Sequence, residues 1–596
     1  MNVLLLTLLS VAAALEMNLT PSPDSTMEAF TRDGNLWVRS IGTGDERRLT
    51  SDGGGLISNG YASWVYYEEI LGRSSHYKAF WWSPDSKRLG FYRFDDSPVG
   101  EFPIWSPFGP YGKLNLTRYP KAGTANPKVW VGIAEADGSG LRWCPFPETE
   151  YFGIPFWSKD GKGFYISTMG RDQNRLELWR ADIDDASLTQ VYTEVADTWL
   201  DWISDILPAE KGFYMVRRFA GDWEQIYFLP WNGGEARCLS DGPNWATRLL
   251  RVDEKKGDIW FTAKRSSPLH PALYRLDRKG RVTELTDPSF WASNITFSAD
   301  GRRFTARLST AAQPWRTVEA DAYSGKNPKE IVAPEAVPDD RPVPVPVSIQ
   351  NDGFDLYALI SYPRDFDPAK RYPVVMQVYG GPGTPYVRDY WGSRDATDRW
   401  CYENGFIYLV ADPRSSGENG KAGMDEAFQR MTVPELGDYL AWASWLKSLP
   451  CCSGKIGVKG FSFGGTTTAM LVLRYPEAFC CGIAGGGVYD WTLYDSHYTE
   501  RFMLTPEQNP EGYREASVLS YIDELKPEAV GRLRLTHGTG DDNVHLQNTL
   551  LLTDALQKAG ISFELMLYPD GLHGYRGAQK AHSDAADAEF WRKNLL

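Results

Sequence analysis

Residues 456–466 read Ile456-Gly457-Val458-Lys459-Gly460-Phe461-Ser462-Phe463-Gly464-Gly465-Thr466, an apolar strand running into G-x-S-x-G and then into helix-forming sequence. The five-residue pattern is weak alone, because Gly- and Ser-rich chains match it by chance. Its setting is stronger. A buried strand, a sharp turn flanked by glycines and a following helix together make the nucleophile elbow of an α/β-hydrolase, which lifts a serine hydroxyl above the sheet at a helix N-terminus. A glycine-rich turn carrying a structural serine is the plain alternative.

Working outward, Val374-Val375-Met376-Gln377-Val378, Ile407-Tyr408-Leu409-Val410 and Lys455-Ile456-Gly457-Val458 read as buried parallel strands. Leu533-Arg534-Leu535 and Phe563-Glu564-Leu565-Met566-Leu567 continue the sheet. Helices are expected over Pro434–Leu446, Thr466–Leu473 and Leu546–Ala559. This alternation over residues 347–596 predicts a doubly wound α/β domain. A proline cluster at 334–346, unfit for helix or central strand, reads as the linker before it.

Upstream, over 17–333, a unit Ser-x-Asp-(Gly/Ser) recurs before short apolar strands. It appears at Ser22-Pro23-Asp24-Ser25, Ser83-Pro84-Asp85-Ser86, Ser158-Lys159-Asp160-Gly161 and Ser298-Ala299-Asp300-Gly301. Degenerate copies stand at Glu210-Lys211-Gly212 and Lys256-Gly257-Asp258. Tight turns followed by strands, spaced by roughly 45 to 75 residues, predict propeller blades of about four strands, with a β-sandwich array as the other choice.

The α/β-hydrolase order requires an acid and then a histidine after Ser462. His497 and His537 precede or begin the acidic loop, and His545 and His582 lie in or beside helices. His573 sits in Asp570-Gly571-Leu572-His573-Gly574, a Gly-flanked loop after a strand that can bring an imidazole to Ser462. Asp541 and Asp542 follow another sheet strand, where a carboxylate reaches the second ring nitrogen. The pattern does not choose between them, and Asp570 comes third.

Composition narrows the classes. Over 596 residues the formal net charge is −14 and no long basic run appears, which argues against a nucleic-acid surface. No apolar run reaches the ~18 residues of a membrane span. Seven cysteines without regular spacing suggest neither a disulfide framework nor a zinc site, and no metal or cofactor is expected. Val3–Leu15 resembles the apolar region of a secretory signal peptide but lacks a preceding Lys or Arg. Residues 1–16 are therefore a signal peptide, implying a secreted or periplasmic protein, or an inner strand of a cytoplasmic one.

Several blocks together resemble the dipeptidyl peptidase IV family of serine peptidases, in the prolyl oligopeptidase class. They are Trp64-Val65-Tyr66-Tyr67-Glu68-Glu69, Val378-Tyr379-Gly380-Gly381-Pro382, Asp412-Pro413-Arg414-Ser415-Ser416-Gly417, Tyr494-Asp495-Ser496-His497-Tyr498-Thr499-Glu500-Arg501 and His537-Gly538-Thr539-Gly540-Asp541-Asp542-Asn543-Val544-His545. The resemblance implies Ser462, Asp541 and His573 as the triad. It implies an oxyanion site made by the Phe463 backbone N–H and the Tyr379 hydroxyl. Glu68 and Glu69 would bind a peptide's free N-terminal ammonium, although adjacent glutamates are usually a solvated face. Val488, Trp491, Tyr494, Tyr498 and Val544, with Asn543 beside them, would enclose a proline ring.

The implied function is release of N-terminal dipeptides, X-Pro in preference to X-Ala, with a homodimer as the implied assembly. Rival readings are a tripeptidyl or acylaminoacyl peptidase of the same class, or a non-catalytic binding protein that keeps the fold. Two departures stand out. Phe463 replaces the family's usual tyrosine, and no residue answers to an arginine that the family brings from an early blade to the substrate backbone. Relatives carry eight blades, so about six here implies an incomplete propeller.

Overall fold

The computed structural model describes residues 15–218, 221–338 and 340–596. The signal-peptide reading of residues 1–16 lies outside them except for Leu15 and Glu16. Among the described residues, six antiparallel sheets of four or five strands occupy Met17–Val332, and an eight-stranded sheet follows. The architecture is a β-propeller joined to an α/β-hydrolase domain. No helix among the described residues is long and apolar enough to cross a membrane.

The repeated Ser-x-Asp unit has a physical cause. Each full copy forms the turn between two consecutive, antiparallel strands of one sheet. In each, the serine hydroxyl donates to the aspartate two residues on and accepts the backbone N–H five residues on. The distances are 2.7 and 3.0 Å at Ser22, 2.6 and 2.9 Å at Ser83, 2.7 and 3.0 Å at Ser158, and 2.7 and 3.0 Å at Ser298. The residue after the aspartate is left-handed every time: Ser25, Ser86, Gly161 and Gly301, with φ of 60°, 62°, 70° and 66°. Side chain thus reinforces the backbone hydrogen bonds that close each turn, which is why the unit recurs where strand sequence does not.

The second sheet carries two insertions that matter for function. One, between Ile57–Asn59 and Phe80–Trp82, contains a wide helical turn over Tyr66–Ile70 that holds Glu68 and Glu69. The other, between Arg88–Asp95 and Lys128–Glu135, is a separate hairpin of Glu101–Ser106 with Lys113–Arg118. Nothing in the strand periodicity announces either.

The hydrolase sheet runs, edge to edge, Val345–Asn351, Phe354–Ser361, Ile407–Ala411, Tyr372–Gln377, Cys452–Phe461, Cys481–Gly485, Arg532–Gly538 and Phe563–Tyr568. The first two pairings are antiparallel and the rest parallel. Helices Val433–Ser448, Phe463–Arg474 and Gln547–Lys558 pack on it where helical sequence was expected. The linker reading needs correcting at its end, because Val345 and Pro346 belong to the first strand and Pro346 pairs with Leu359. An edge strand tolerates a residue without an N–H, so proline content alone misplaced that boundary. All seven cysteines are free thiols.

Ser158→Ala removes both side-chain bonds of a turn in which the serine is 5% exposed. The expected loss is about 1–2 kcal/mol of unfolding free energy, read as a lower urea midpoint at unchanged slope. An unchanged midpoint would mean that the aspartate and backbone suffice.

Candidate active site

The strand Cys452–Phe461 ends directly in Ser462, and the helix begins at Phe463. Ser462 has φ 62° and ψ −124°, a costly conformation for a residue with a side chain. Its neighbours make room for it. A Cβ on Gly460 would sit 2.3 Å from the Gly464 carbonyl oxygen, and one on Gly464 would sit 2.6 Å from the Val378 oxygen. The two glycines of the motif therefore let strand end, helix start and the neighbouring strand's loop meet at contact distance.

Asp541 lies 1% exposed in the loop after Arg532–Gly538. Its Oδ1 accepts the N–H groups of Asn543 and Val544, each at 3.0 Å, and its Oδ2 is 2.7 Å from His573 Nδ1. Burial alone would raise this carboxyl, but His537 and His573 outweigh burial and hold it well below its ordinary value. Asp541 and not Asp542 therefore meets the histidine. Asp542 turns to Arg73 Nη2 at 3.2 Å, and Asp570 accepts from Ser106 Oγ at 2.6 Å. The ring of His573 packs against Phe461, the residue before Ser462, with centroids 5.0 Å apart.

Tyr379 follows the strand Tyr372–Gln377 and stacks on Tyr386 at 4.5 Å and 10°. Its phenol lies near Ser462, and its pKa is raised by burial and then by Tyr386, so it remains a protonated donor. Phe463 supplies the first N–H of its helix, a group with no intrahelical acceptor. Both donors sit beside the serine.

The aromatic group expected around a substrate side chain assembles as one cluster. Val488, Trp491, Tyr494, Val544 and Phe463 are buried together, with Tyr379 and Tyr498 partly open. The Trp491 and Tyr498 rings lie nearly parallel, 6.4 Å apart at 16°, and Tyr494 stands at 78° to Tyr498. Asn543 joins this cluster to the acidic pair. It accepts from the Tyr494 hydroxyl at 2.7 Å, and its Nδ2 donates to Glu68 Oε1 at 2.8 Å.

The Glu pair sits on the wide turn closed by the Leu71 N–H on the Tyr66 oxygen at 2.7 Å, the type of distortion that often marks functional sites. Glu68 has partners, the Arg73 guanidinium and Asn543. Glu69 makes no hydrogen bond or ion pair among the described residues, and its carboxyl is pushed well up by burial, then by Asp495 and Glu68. Asp495 is raised to about 7, burial first. Sequence reading missed Arg73, which lies in the glycine- and serine-bearing stretch Gly72-Arg73-Ser74-Ser75 and reads as loop. Its position one turn beyond Glu69 was the available signal.

A match to the dipeptidyl peptidase IV N-terminal region covers residues 8–315, and one to the prolyl oligopeptidase family covers 393–596. The chain belongs to the dipeptidyl peptidase IV family. A crystal structure of Porphyromonas gingivalis dipeptidyl peptidase 4 superposes with a TM-score of 0.88 at 29% identity, over 97% of this chain and 83% of that one. Dipeptidyl-aminopeptidase B of Aspergillus niger is 28% identical over 93% of this chain, which spans 65% of that protein's length.

Two like-charged, poorly compensated carboxyls are a burden on the empty protein. A raised folded-state pKa for an acid means that stability is lost as pH rises through the range between the unfolded and folded values. Glu69→Gln should therefore raise the melting temperature at neutral pH, and the gain should shrink as pH falls toward the ordinary glutamate value of 4.5. A variant that melts lower at neutral pH would contradict the electrostatic account.

Proposed function

We propose that this chain is a serine exopeptidase that removes N-terminal dipeptides, X-Pro in preference to X-Ala, through an acyl-enzyme. The observation that carries the reading is the half-buried Glu69 carboxylate, which has no hydrogen bond or ion pair among the described residues and stands beside Glu68, itself linked through Asn543 to the aromatic cluster next to Ser462. A substrate's N-terminal ammonium supplies the missing cation. Anchoring it there sets how far the peptide enters, so the bond over Ser462 is the one after the second residue.

With the peptide anchored, Ser462 Oγ attacks the carbonyl carbon and His573 takes its proton at Nε2, since Nδ1 faces Asp541. Asp541 holds the ring and balances the imidazolium. The developing oxyanion meets the Phe463 N–H and the Tyr379 hydroxyl, and a donor of this kind contributes about 3 kcal/mol. His573 then protonates the leaving amine, and water repeats the sequence on the acyl-enzyme. The flat walls of Trp491, Tyr494 and Tyr498 suit a proline ring and leave a charged side chain unsolvated.

Arg73 fills the role for which the sequence offered no candidate. In the empty site it neutralises Glu68 and Asp542. An arriving ammonium competes for Glu68 and frees guanidinium N–H groups for the carbonyl of the substrate's first residue. In this reading the six antiparallel sheets are propeller blades, and the homodimer rests on the family resemblance.

The test is turnover of Gly-Pro and Ala-Pro chromogenic amides beside their N-acetylated forms. Free amines should be cleaved and blocked ones hardly at all. Glu69→Ala should abolish that difference, and Ser462→Ala should abolish turnover. Equal cleavage of both forms sinks the dipeptidyl reading in favour of an acylaminoacyl one, and absence of fluorophosphonate labelling at Ser462 favours a binding protein. Arg73→Ala should lower kcat/KM by about tenfold or more, from the about 1.5–3 kcal/mol of a charged hydrogen bond.

A further inference from the structure

The hairpin of Glu101–Ser106 and Lys113–Arg118 pairs with no other strand, and an isolated two-stranded ribbon is marginal in water. Its register puts Pro103 opposite Leu116 and Trp105 opposite Leu114, and Trp105, Leu114 and Leu116 are each more than half exposed. The other face carries Phe102 and Ser106, and it meets the two hydrolase loops that bear Asp541 and His573.

Phe102, Tyr119 and Ser106 make that junction. The Phe102 ring lies flat on the His545 imidazole, centroids 3.6 Å apart at 13°. Tyr119, just beyond the hairpin, leans on the same imidazole at 4.3 Å and donates its hydroxyl to the Asn543 carbonyl at 2.9 Å. Ser106 Oγ donates to Asp570 at 2.6 Å, and the Asp570 N–H in turn donates to Thr539 Oγ1 at 2.9 Å, tying the histidine loop to the aspartate loop.

His545 itself is unusual. It is 1% exposed and neither ring nitrogen has a hydrogen-bond partner. An unmade pair of hydrogen bonds in a buried ring is unfavourable, so its flat shape and not its polarity suits it to this place. Burial, and then Lys121, push its pKa down to about 3, so the stacked ring stays neutral.

We propose that this hairpin is a positioning element for the triad, holding the Asp541 and His573 loops from the propeller side through Phe102, Tyr119 and Ser106. The route is short. The Asn543 and Val544 N–H groups aim the Asp541 carboxylate, and Asn543 and His545 are the residues of that loop clamped by Tyr119 and Phe102. Small misplacements of a catalytic group cost large factors in rate. The proposal rests on the reading of Ser462, Asp541 and His573 as the triad.

The experiment compares the unsubstituted protein with Phe102→Ala, Phe102→Tyr and Ser106→Ala, measuring kcat and KM on Gly-Pro amide and the rate of fluorophosphonate labelling of Ser462. Labelling needs the triad but not the Glu pair. Phe102→Ala should lower kcat and the labelling rate together by about tenfold, with KM moving less than about twofold. Phe102→Tyr, which keeps the stacked ring, should restore both. Ser106→Ala, which removes one hydrogen bond at an exposed site, should lower both by about threefold and keeps the test open if Phe102→Ala fails to fold. Unchanged kcat and labelling in these variants overturn the proposal, as does a raised KM at unchanged kcat. Failure of the unsubstituted protein to label overturns the triad reading and this proposal with it.

Discussion

Where the propeller meets the hydrolase, the carboxyls of Glu68, Glu69, Asp495, Glu500, Asp541 and Asp542 gather in a space largely closed to water, and the site depends on how they are offset. Arg171 grips Glu500 through Nε at 2.6 Å and Nη2 at 2.8 Å. Arg73 spans Glu68 and Asp542, and His573 faces Asp541. Arg501 lowers both Glu69 and Asp495 only at a distance, since its guanidinium turns to Gln173 and His497. Two acids, Glu69 and Asp495, therefore have no cation in direct contact among the described residues; Asp495 Oδ1 accepts the Tyr498 N–H at 2.9 Å, whereas Glu69 has no such bond. Burying charge is unfavourable unless it is paired, and the fold leaves the pairing incomplete at the point where a peptide's ammonium would complete it.

At the same interface the loops carrying Asp541 and His573 contact both domains. The hydrolase sheet sets the elbow, through the strained Ser462 backbone and the glycines that permit it. The loops carrying Asp541 and His573 rise from the sheet's far strands toward the propeller, and Tyr119, Phe102 and Ser106 meet them there. In the proposed reading, one insertion of the second sheet anchors the substrate and the other places the loops. Strain and unpaired charge are concentrated at the site, while the turns and strands around it are conventionally satisfied.

Much of this was legible from local sequence. The Ser-x-Asp turns announced themselves because their hydrogen bonds close within five residues, and the elbow did so because its strand, glycines and helix follow one another in sequence, although Gly464 also answers to the distant Val378 carbonyl. The strands of the parallel sheet were legible from continuous apolar runs. The linker was read too long, since proline at an edge strand looks the same as proline in a loop. Glu68 and Glu69 were visible as a pair, but nothing in their neighbourhood says that one is paired and the other is not.

The amino-acid sequence by itself determined the two architectures, the candidate nucleophile and the short menu of acids and histidines, because each depends on residues a few positions apart. Spacing left Asp541 and Asp542 open, the family resemblance favoured Asp541, and the tertiary structure shows Asp541 at His573 and Asp542 at Arg73, with the hairpin against the loops that carry Asp541 and His573. Those contacts join residues far apart in the chain: Arg73 meets Asp542 across 469 positions, Asn543 meets Glu68 across 475, and Ser106 meets Asp570 across 464. No periodicity spans such distances. They exist only once two separately folded domains are pressed together and each buried charge must find, or lack, a partner.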